Sequence, residues 1–225
     1  YAKDQLDSQL QVASTTLQFN NQDGTFSEIA KLAGVDATGW SWSTLSFDFD
    51  NDRWKDIFVC NGIRKDLTNQ DFLAYFNSQE VMNKIRKGGY DFMDFLDKMP
   101  SMPLPNFAFT NQKNLLFKNE SAQLGFDKAG FSSGAAYADL DGDGDLDLVI
   151  NNQNAEASVY KNLSSEKLHH HYLKVKLLGI SPNTMGLGSR VTIFSGNEKQ
   201  VLEQMPTRGF QSSVDPVLLF GRGNK

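Results

Sequence analysis

Two aspartate-rich segments constrain the fold of this chain more than any other feature of its sequence. Both follow the frame Asp-x-Asp-x-Asp-x-x-x-Asp, and the second begins 91 residues after the first. The first contains Asp48, Asp50, Asp52 and Asp56, and the second contains Asp139, Asp141, Asp143, Asp145 and Asp147. Carboxylates this close together repel one another, which raises their pKa values and opposes the folding of the segment. Each segment therefore needs a partner of positive charge.

The negative charge of the chain is concentrated in these segments. The 225 residues include 27 Asp and Glu against 22 Lys and Arg, a formal net charge of −5. Nine of the 27 acids lie in the two segments, so 18 remain elsewhere against the 22 basic residues. An acidic chain without a cluster of Lys and Arg is not expected to bind nucleic acid. It also has no run of about 18 apolar residues, so no membrane insertion is expected.

Calcium ions suit these segments best. Ca²⁺ takes about six to eight oxygen ligands, and alternating aspartates on a tight loop can point toward one centre. Loop position seven, Trp54 or Asp145, adds a backbone carbonyl by analogy with other calcium loops. An EF-hand does not fit, because it needs Glu at loop position twelve, where these segments have Val59 and Ile150. The sequence thus predicts two calcium sites, formed by the nine aspartates and Trp54.

A solvated Asp-Gly turn is the alternative explanation, since Asp and Gly both favour turns. It is weaker for the second segment, because a turn does not need five carboxylates. It is stronger for the first, because Arg53 stands where the second has Gly144, at a position suited to positive φ.

The flanks of the two segments repeat as well. Similar short strands are predicted at 17–21, 115–119 and 158–162, and each aspartate segment runs into an apolar strand. Each unit is then strand, turn, strand, acidic loop, strand, which is typical of a β-propeller blade.

The residues that carry the second segment resemble a known family. Residues 133–149, Ser-Gly-Ala-Ala-Tyr-Ala-Asp-Leu-Asp-Gly-Asp-Gly-Asp-Leu-Asp-Leu-Val, are similar to an FG-GAP/VCBS repeat, the calcium-binding blade of integrin-α-type propellers. Residues 186–191, 208–213 and 219–221 resemble the ASPIC/UnbV domain of cartilage-acidic-protein-like proteins. Together with the Gly-Trp-Ser-Trp-Ser of 39–43, the chain is most similar to large secreted VCBS-repeat proteins of Bacteroidetes. Arg53 and Arg222 depart from the family patterns.

The β pattern stops between about 63 and 105. Apolar residues at near-helical spacing predict an amphipathic helix over 71–87, and Asp91 is placed to cap a second short helix. We expect their aromatic residues to pack the helices, with contact to a ligand as the minority alternative. Trp40 and Trp42 alternate with serines and are expected to pack in a core.

The predicted fold is mainly β. A partial β-propeller of FG-GAP/VCBS blades occupies 1–165, with a helical insertion at about 63–105, and a small, truncated β-rich ASPIC/UnbV-like domain occupies 166–225. A propeller needs about four to eight blades to close, which exceeds what this chain can supply. We therefore expect neighbouring blades outside it, and a first blade without neighbours within it.

The expected function is that of a calcium-binding module for surface recognition or adhesion, extracellular or at a bacterial surface. Its partner would be a glycan, such as a polysaccharide, or a protein. No catalytic residue is predicted: the Gly-x-Ser-x-Gly of 130–134 leads into a strand and not into the helix that a nucleophile elbow requires. The propeller part of a polysaccharide lyase or hydrolase, and a scaffold subunit of an outer-membrane assembly, remain alternatives.

Overall fold

The computed structural model describes residues 14–89 and 91–224 and is mainly β. The first thirteen residues of the predicted propeller region lie outside the described ranges. The strands are β1 (Gln18–Asn20), β2 (Phe26–Glu28), β3 (Ser41–Phe47), β4 (Asp56–Asn61), β5 (Phe107–Asn111), β6 (Phe117–Asn119), β7 (Ser132–Ala138), β8 (Asp147–Asn152), β9 (Ser158–Tyr160), β10 (His171–Val175), β11 (Arg190–Ser195), β12 (Glu198–Glu203) and β13 (Leu218–Gly223). The helices are α1 (Ala30–Ala33), α2 (Gln70–Phe76), α3 (Gln79–Arg86), α4 (Phe92–Lys98) and α5 (Ser164–Leu168).

Two antiparallel meanders carry the aspartate segments. One is the four-stranded sheet β3-β4-β5-β6, and the other is the three-stranded sheet β7-β8-β9. The first aspartate segment connects β3 to β4 and the second connects β7 to β8, so each loop sits at the same place in its sheet. Strand β3 packs against β7. These sheets do not close into a ring within the described residues.

The sheet β3–β6 is covered on both faces. Strand β4 is buried along its whole length, so its side chains serve a different core on each side. Phe58 and Cys60 pack with residues of β7 and β8, whereas Ile57 and Val59 pack with α1. The expectation that the first blade has no neighbour within the chain is therefore wrong.

The hairpin β1–β2 corresponds to the hairpin β5–β6. Both turns have the same length between paired strands, from Asn20 to Phe26 and from Asn111 to Phe117. Both place a non-glycine residue with positive φ after the asparagine, Gln22 at 65° and Lys113 at 70°. The sequence-based repeat aligned residues 17–21, which contain β1, with residues 115–119, which contain β6. That alignment is wrong, because β1 corresponds to β5. Strand β9 is the third strand of its sheet, as β5 is of the first sheet.

The insertion between β4 and β5 is helical, as the sequence predicts, but the single helix expected over 71–87 is two helices. Asn77 ends α2, and the Ser78 hydroxyl caps α3 by accepting a hydrogen bond from the Val81 backbone N–H. The Asp91 cap of α4 is confirmed. The rings of Phe72, Phe76 and Phe95 pack on one another, with centroids 4.7–6.4 Å apart: Phe72–Phe95, Phe76–Phe95 and Phe72–Phe76.

The C-terminal strands form two antiparallel pairs, β10–β13 and β11–β12. They rest on the two meanders: Leu219 joins the core of β3, β4, β7 and β8, and the ring of Phe210 lies 5.2 Å from that of Trp42. Trp42 is half-buried there, and its indole N–H donates to the Gly62 carbonyl at 2.8 Å. Every helix within the described ranges is too short or too polar to traverse a lipid bilayer.

Candidate metal centre

The two aspartate loops fold the same way. In the first loop, the Arg53 backbone N–H donates to Asp48 Oδ2 at 2.8 Å. In the second loop, the Gly144 N–H donates to Asp139 Oδ2 at 2.9 Å. Both donors have positive φ, 85° for Arg53 and 96° for Gly144. Arg53 thus adopts the conformation that glycine provides freely, at a cost of about 1 kcal/mol or more. Its guanidinium pairs with Glu198 of β12.

Asp56 and Asp147 occupy the same place at the end of the two loops. One carboxylate oxygen of each accepts a hydrogen bond from the backbone N–H of the residue that follows the first aspartate of its loop, at 3.1 Å and 2.8 Å. The other oxygen accepts from the backbone N–H of Asn111 at 2.9 Å or of Asn162 at 2.8 Å. Each loop is therefore fastened to the third strand of its own sheet.

The loops bring two groups of carboxylates together. In each group, oxygen atoms from three aspartates lie within 4.8 Å of one another: Asp48, Asp50 and Asp52 in the first loop, and Asp139, Asp141 and Asp147 in the second. The other three predicted carboxylate ligands, Asp56, Asp143 and Asp145, lie in the same loops but outside these groups. Trp54 is 46% exposed, and because its indole offers no oxygen to a metal, only its backbone carbonyl is suited to a ligand role.

Burial raises the pKa of Asp48, Asp50 and Asp56 in the first loop. The pKa of Asp48 rises to about 7, chiefly through burial and further through the negative charges of Asp50 and Asp52. The pKa of Asp50 also rises, through burial and then the charge of Asp52. Lys113 is the cation near this group, with its Nζ 3.0 Å from Asp52 Oδ2. A divalent cation would favour the ionised form of these buried carboxylates and offset their mutual repulsion.

Among the described residues, two lysines form ion pairs with aspartates of the second loop, compared with one lysine at the first. Lys161 Nζ lies 2.7 Å from Asp141 Oδ2 and 3.5 Å from Asp143 Oδ2, and Lys174 pairs with Asp139. The hydrogen bond from Lys161 lowers the pKa of Asp141. This loop also retains unsatisfied oxygens: Asp143 Oδ2 and Asp145 Oδ1 are buried without a hydrogen-bond partner. Buried oxygens without donors are the atoms that a hard cation can satisfy.

The loops are joined to each other and to the C-terminal strands. The Asn51 side-chain Nδ2 donates to the Gly144 carbonyl at 2.9 Å, and the Asn51 carbonyl accepts from the Gly223 N–H at 2.7 Å. His170 Nδ1 donates to the Asp50 carbonyl at 2.6 Å. Gly221 approaches so closely that a Cβ there would lie 2.6 Å from Asn51 Cα.

Sequence analysis missed several residues of this site. Asn111 ends β5, and Asn162 follows the end of β9 by two residues. Their side-chain Nδ2 groups both donate to the carbonyl that precedes the last aspartate of the loop, at 3.0 Å and 3.1 Å. An asparagine at the end of each repeated strand is a signal visible in the sequence. The lysines carry no such signal, because their contacts depend on tertiary structure.

Replacing Lys161 with Met is expected to strengthen calcium binding at the second loop by about threefold to tenfold. The substitution removes a cation that competes with the metal, and one charge at this distance near the surface contributes about 1 kcal/mol. Titration calorimetry of the variant and the wild type measures the change. Lys167→Met, on α5, is the matched control and leaves the affinity unchanged. Equal affinity for Lys161→Met would mean that this lysine does not compete with the ion.

Comparison with known families identifies the C-terminal part of the chain. Residues 179–225 match the family model described as ASPIC and UnbV. The chain carries an ASPIC/UnbV domain. The matched residues include β11, β12 and β13, so the domain supplies Gly221, Gly223 and the core residue Leu219. The predicted resemblance of the C-terminal stretch is confirmed, and the FG-GAP/VCBS identity of the blades stays a prediction. No curated protein matches the chain.

Proposed function

We propose that the chain is a calcium-binding module of FG-GAP/VCBS type, part of an incomplete β-propeller, that serves surface recognition or adhesion outside the cell. One observation carries this proposal. Two loops that begin 91 residues apart each bring three carboxylates close together, and each loop is closed by the same backbone hydrogen bond to its first aspartate.

The residues that would hold an ion fit calcium. Asp48, Asp50 and Asp52 offer one set of hard oxygen ligands, and a second set comes from the loop that begins at Asp139. Backbone carbonyls and water complete the about six to eight ligands that Ca²⁺ takes, whereas Mg²⁺ requires a stricter octahedral arrangement. When bound, the ion supplies positive charge that offsets the repulsion among carboxylates. Its binding free energy therefore adds to the free energy of folding.

The proposed ions would stabilise the junction between the blades and the ASPIC/UnbV domain. Asn51 lies in the first loop and bonds both to the second loop and to Gly223. His170 and Gly221 contact the same loop. A metal-ordered loop therefore gives the C-terminal strands a fixed surface on which to dock.

We propose the recognition role for a module that calcium stabilises, and this role does not depend on a catalytic group. Extracellular calcium is millimolar, which saturates even weak sites of this kind. A glycan or a protein is the proposed partner, and further propeller blades are proposed outside this chain. The enzyme alternative would require a pocket of converging His, Lys, Tyr or Arg residues away from the acidic loops. One cavity that contains Lys, Tyr and Arg adjoins the first loop, because Asp48 lines it. A second cavity, lined by Arg64, Lys128 and Tyr160 among others, contains no residue of either loop and is where the enzyme alternative would have to be sought.

The proposal is tested by titration calorimetry with Ca²⁺ on three forms of the chain. The wild type is expected to bind two ions. Asp50→Asn and Asp141→Asn should each bind one, because each replacement keeps the size of the side chain and removes one negative ligand. A Ser27→Ala variant on β2 is the control and binds two. If the wild type releases or absorbs no heat and its melting temperature does not respond to calcium, the proposal fails.

A further inference from the structure

A cavity lies between the first acidic loop and the ASPIC/UnbV domain. Its volume is about 370 Å³, near the lower end of the range of small-molecule sites, about 300–1,000 Å³. Lys55 of the loop, Tyr137 of β7 and Arg208 of the C-terminal region all line it. The cavity thus exists only because the two parts of the chain are docked on each other.

Two cations face this cavity without a counter-ion. Among the residues that the structure describes, the Lys55 ammonium has no hydrogen bond or ion pair, and Arg208 has no carboxylate within 4.0 Å. The Arg208 guanidinium reaches only the Glu203 backbone carbonyl, at 3.4 Å. Both side chains line the same cavity, so an anion bound in it can contact both cations.

The anions that also line the cavity do not neutralise these two cations. Three carboxylates line the cavity. Asp48 belongs to the acidic loop group, and one carboxylate oxygen of Asp215 accepts a hydrogen bond from the Val217 backbone N–H at 3.0 Å. The third, Glu203, forms no ion pair with Lys55 or Arg208. Arg53 and Lys199 are the other two cations of the lining: Arg53 is paired with Glu198, and Lys199 is an exposed residue of β12. The N–H donors of Lys55 and Arg208 are therefore available to bind an external anion.

The remaining lining suits an organic acid better than an inorganic ion. Apolar side chains form part of the wall, including Phe47, Leu146 and Val214. Apolar walls reduce the local dielectric constant, which strengthens an ion pair formed inside. Arg can bind a carboxylate with two parallel hydrogen bonds, and Lys adds a single charged donor. The half-buried Tyr137 provides a further polar group with an aromatic face.

We propose that this cavity binds the carboxylate group of a small organic acid, held by Lys55 and Arg208. The carboxylate lies between the two cations, and the apolar wall contacts the carbon skeleton that bears it. This proposal names the chemical class of a ligand for the recognition role proposed above, and its biological meaning depends on that role. Carboxylate binding and calcium binding are separate measurements, so either can fail while the other holds.

The test is a set of NMR titrations of the ¹⁵N-labelled chain with calcium present. The probes are acetate, galacturonate, the uncharged sugar galactose and inorganic phosphate. We expect acetate and galacturonate to cause saturable shifts of the amide signals of Lys55, Tyr137 and Arg208, and galactose to cause none. If acetate causes saturable shifts and galacturonate does not, the ligand is an organic acid other than a sugar acid, and the proposal still holds.

Variants locate the binding. Lys55→Met and Arg208→Met should each weaken acetate binding at least tenfold, whereas Lys31→Met, which removes a charge on α1 outside the cavity, should not change it. Calcium affinity is measured for each variant, so that loss of the metal is not mistaken for loss of the anion. If one variant fails to fold, the other carries the test. The proposal is overturned by unchanged acetate binding in the folded variants, by no saturable shift with either acid, or by binding of phosphate alone.

Discussion

Calcium is expected to stabilise the folded chain by about 5 kcal/mol at pH 8, when its free concentration is about 100 times the dissociation constant of each site. Each proposed site contributes about 2.7 kcal/mol under that condition, because the ion binds the folded chain and not the unfolded one. Equilibrium unfolding in urea measures the difference between samples in calcium and in EDTA. Magnesium at the same concentration is the control and should stabilise less.

The stabilisation is expected to shrink as the pH falls to 5. Without metal, the pKa of Asp48 is about 7 in the folded chain, above the ordinary value of about 3.9 that applies on unfolding. Between these values the folded chain binds more protons, so the stability of the metal-free chain decreases as the pH rises. Calcium requires the ionised form, and protons compete with it below pH 7. Unfolding free energies that show the same calcium effect at pH 5 and pH 8 would contradict this link.

Replacing Leu219 with Ala is expected to lower the free energy of unfolding by about 2–4 kcal/mol. Leu219 is 7% exposed and belongs to β13, and it packs with Leu45, Phe47 and Leu148 of the two meanders. The substitution leaves a cavity in a core that two parts of the chain share. Urea unfolding of the calcium-loaded chain measures the loss, and a single transition is expected.

Leu178→Ala is the matched control for this experiment. Leu178 is 87% exposed, so the same substitution there should change the free energy by less than about 0.5 kcal/mol. A Leu219→Ala variant as stable as this control would mean that β13 does not share the core of β3, β4, β7 and β8.

The acidic loops could be predicted from the sequence because their chemistry is local. Five alternating aspartates within nine residues repel one another wherever they are placed, and the frame occurs twice. The helical insertion was predictable for the same reason, and only its break at Asn77 and Ser78 was missed. Asn and Ser are strong capping residues, which outweighed the apolar spacing that continued past them.

The alignment of the repeats failed because it compared residue types and not backbone conformations. The pairs Gln22 with Lys113 and Gly24 with Leu115 share positive φ, but their letters do not match. A positive φ at a non-glycine residue has no reliable signal in the sequence. Strand pairing and turn geometry were needed to show that β1 corresponds to β5.

The contacts that join the ASPIC/UnbV domain to the loops could not be predicted either. Asn51 and Gly223 are far apart in the chain, and nothing in either residue type indicates the other. The same holds for Lys174 and Asp139. These contacts depend on the docking of whole elements, so local patterns do not encode them.

Crystals grown in calcium and measured at a long X-ray wavelength would test the central claim most directly. We expect two peaks of anomalous scattering, each about 2.3–2.6 Å from carboxylate oxygens. One peak lies among Asp48, Asp50 and Asp52, and the other among Asp139, Asp141 and Asp147. Lysine ammonium groups in both places, with no anomalous peak at either, would contradict this claim.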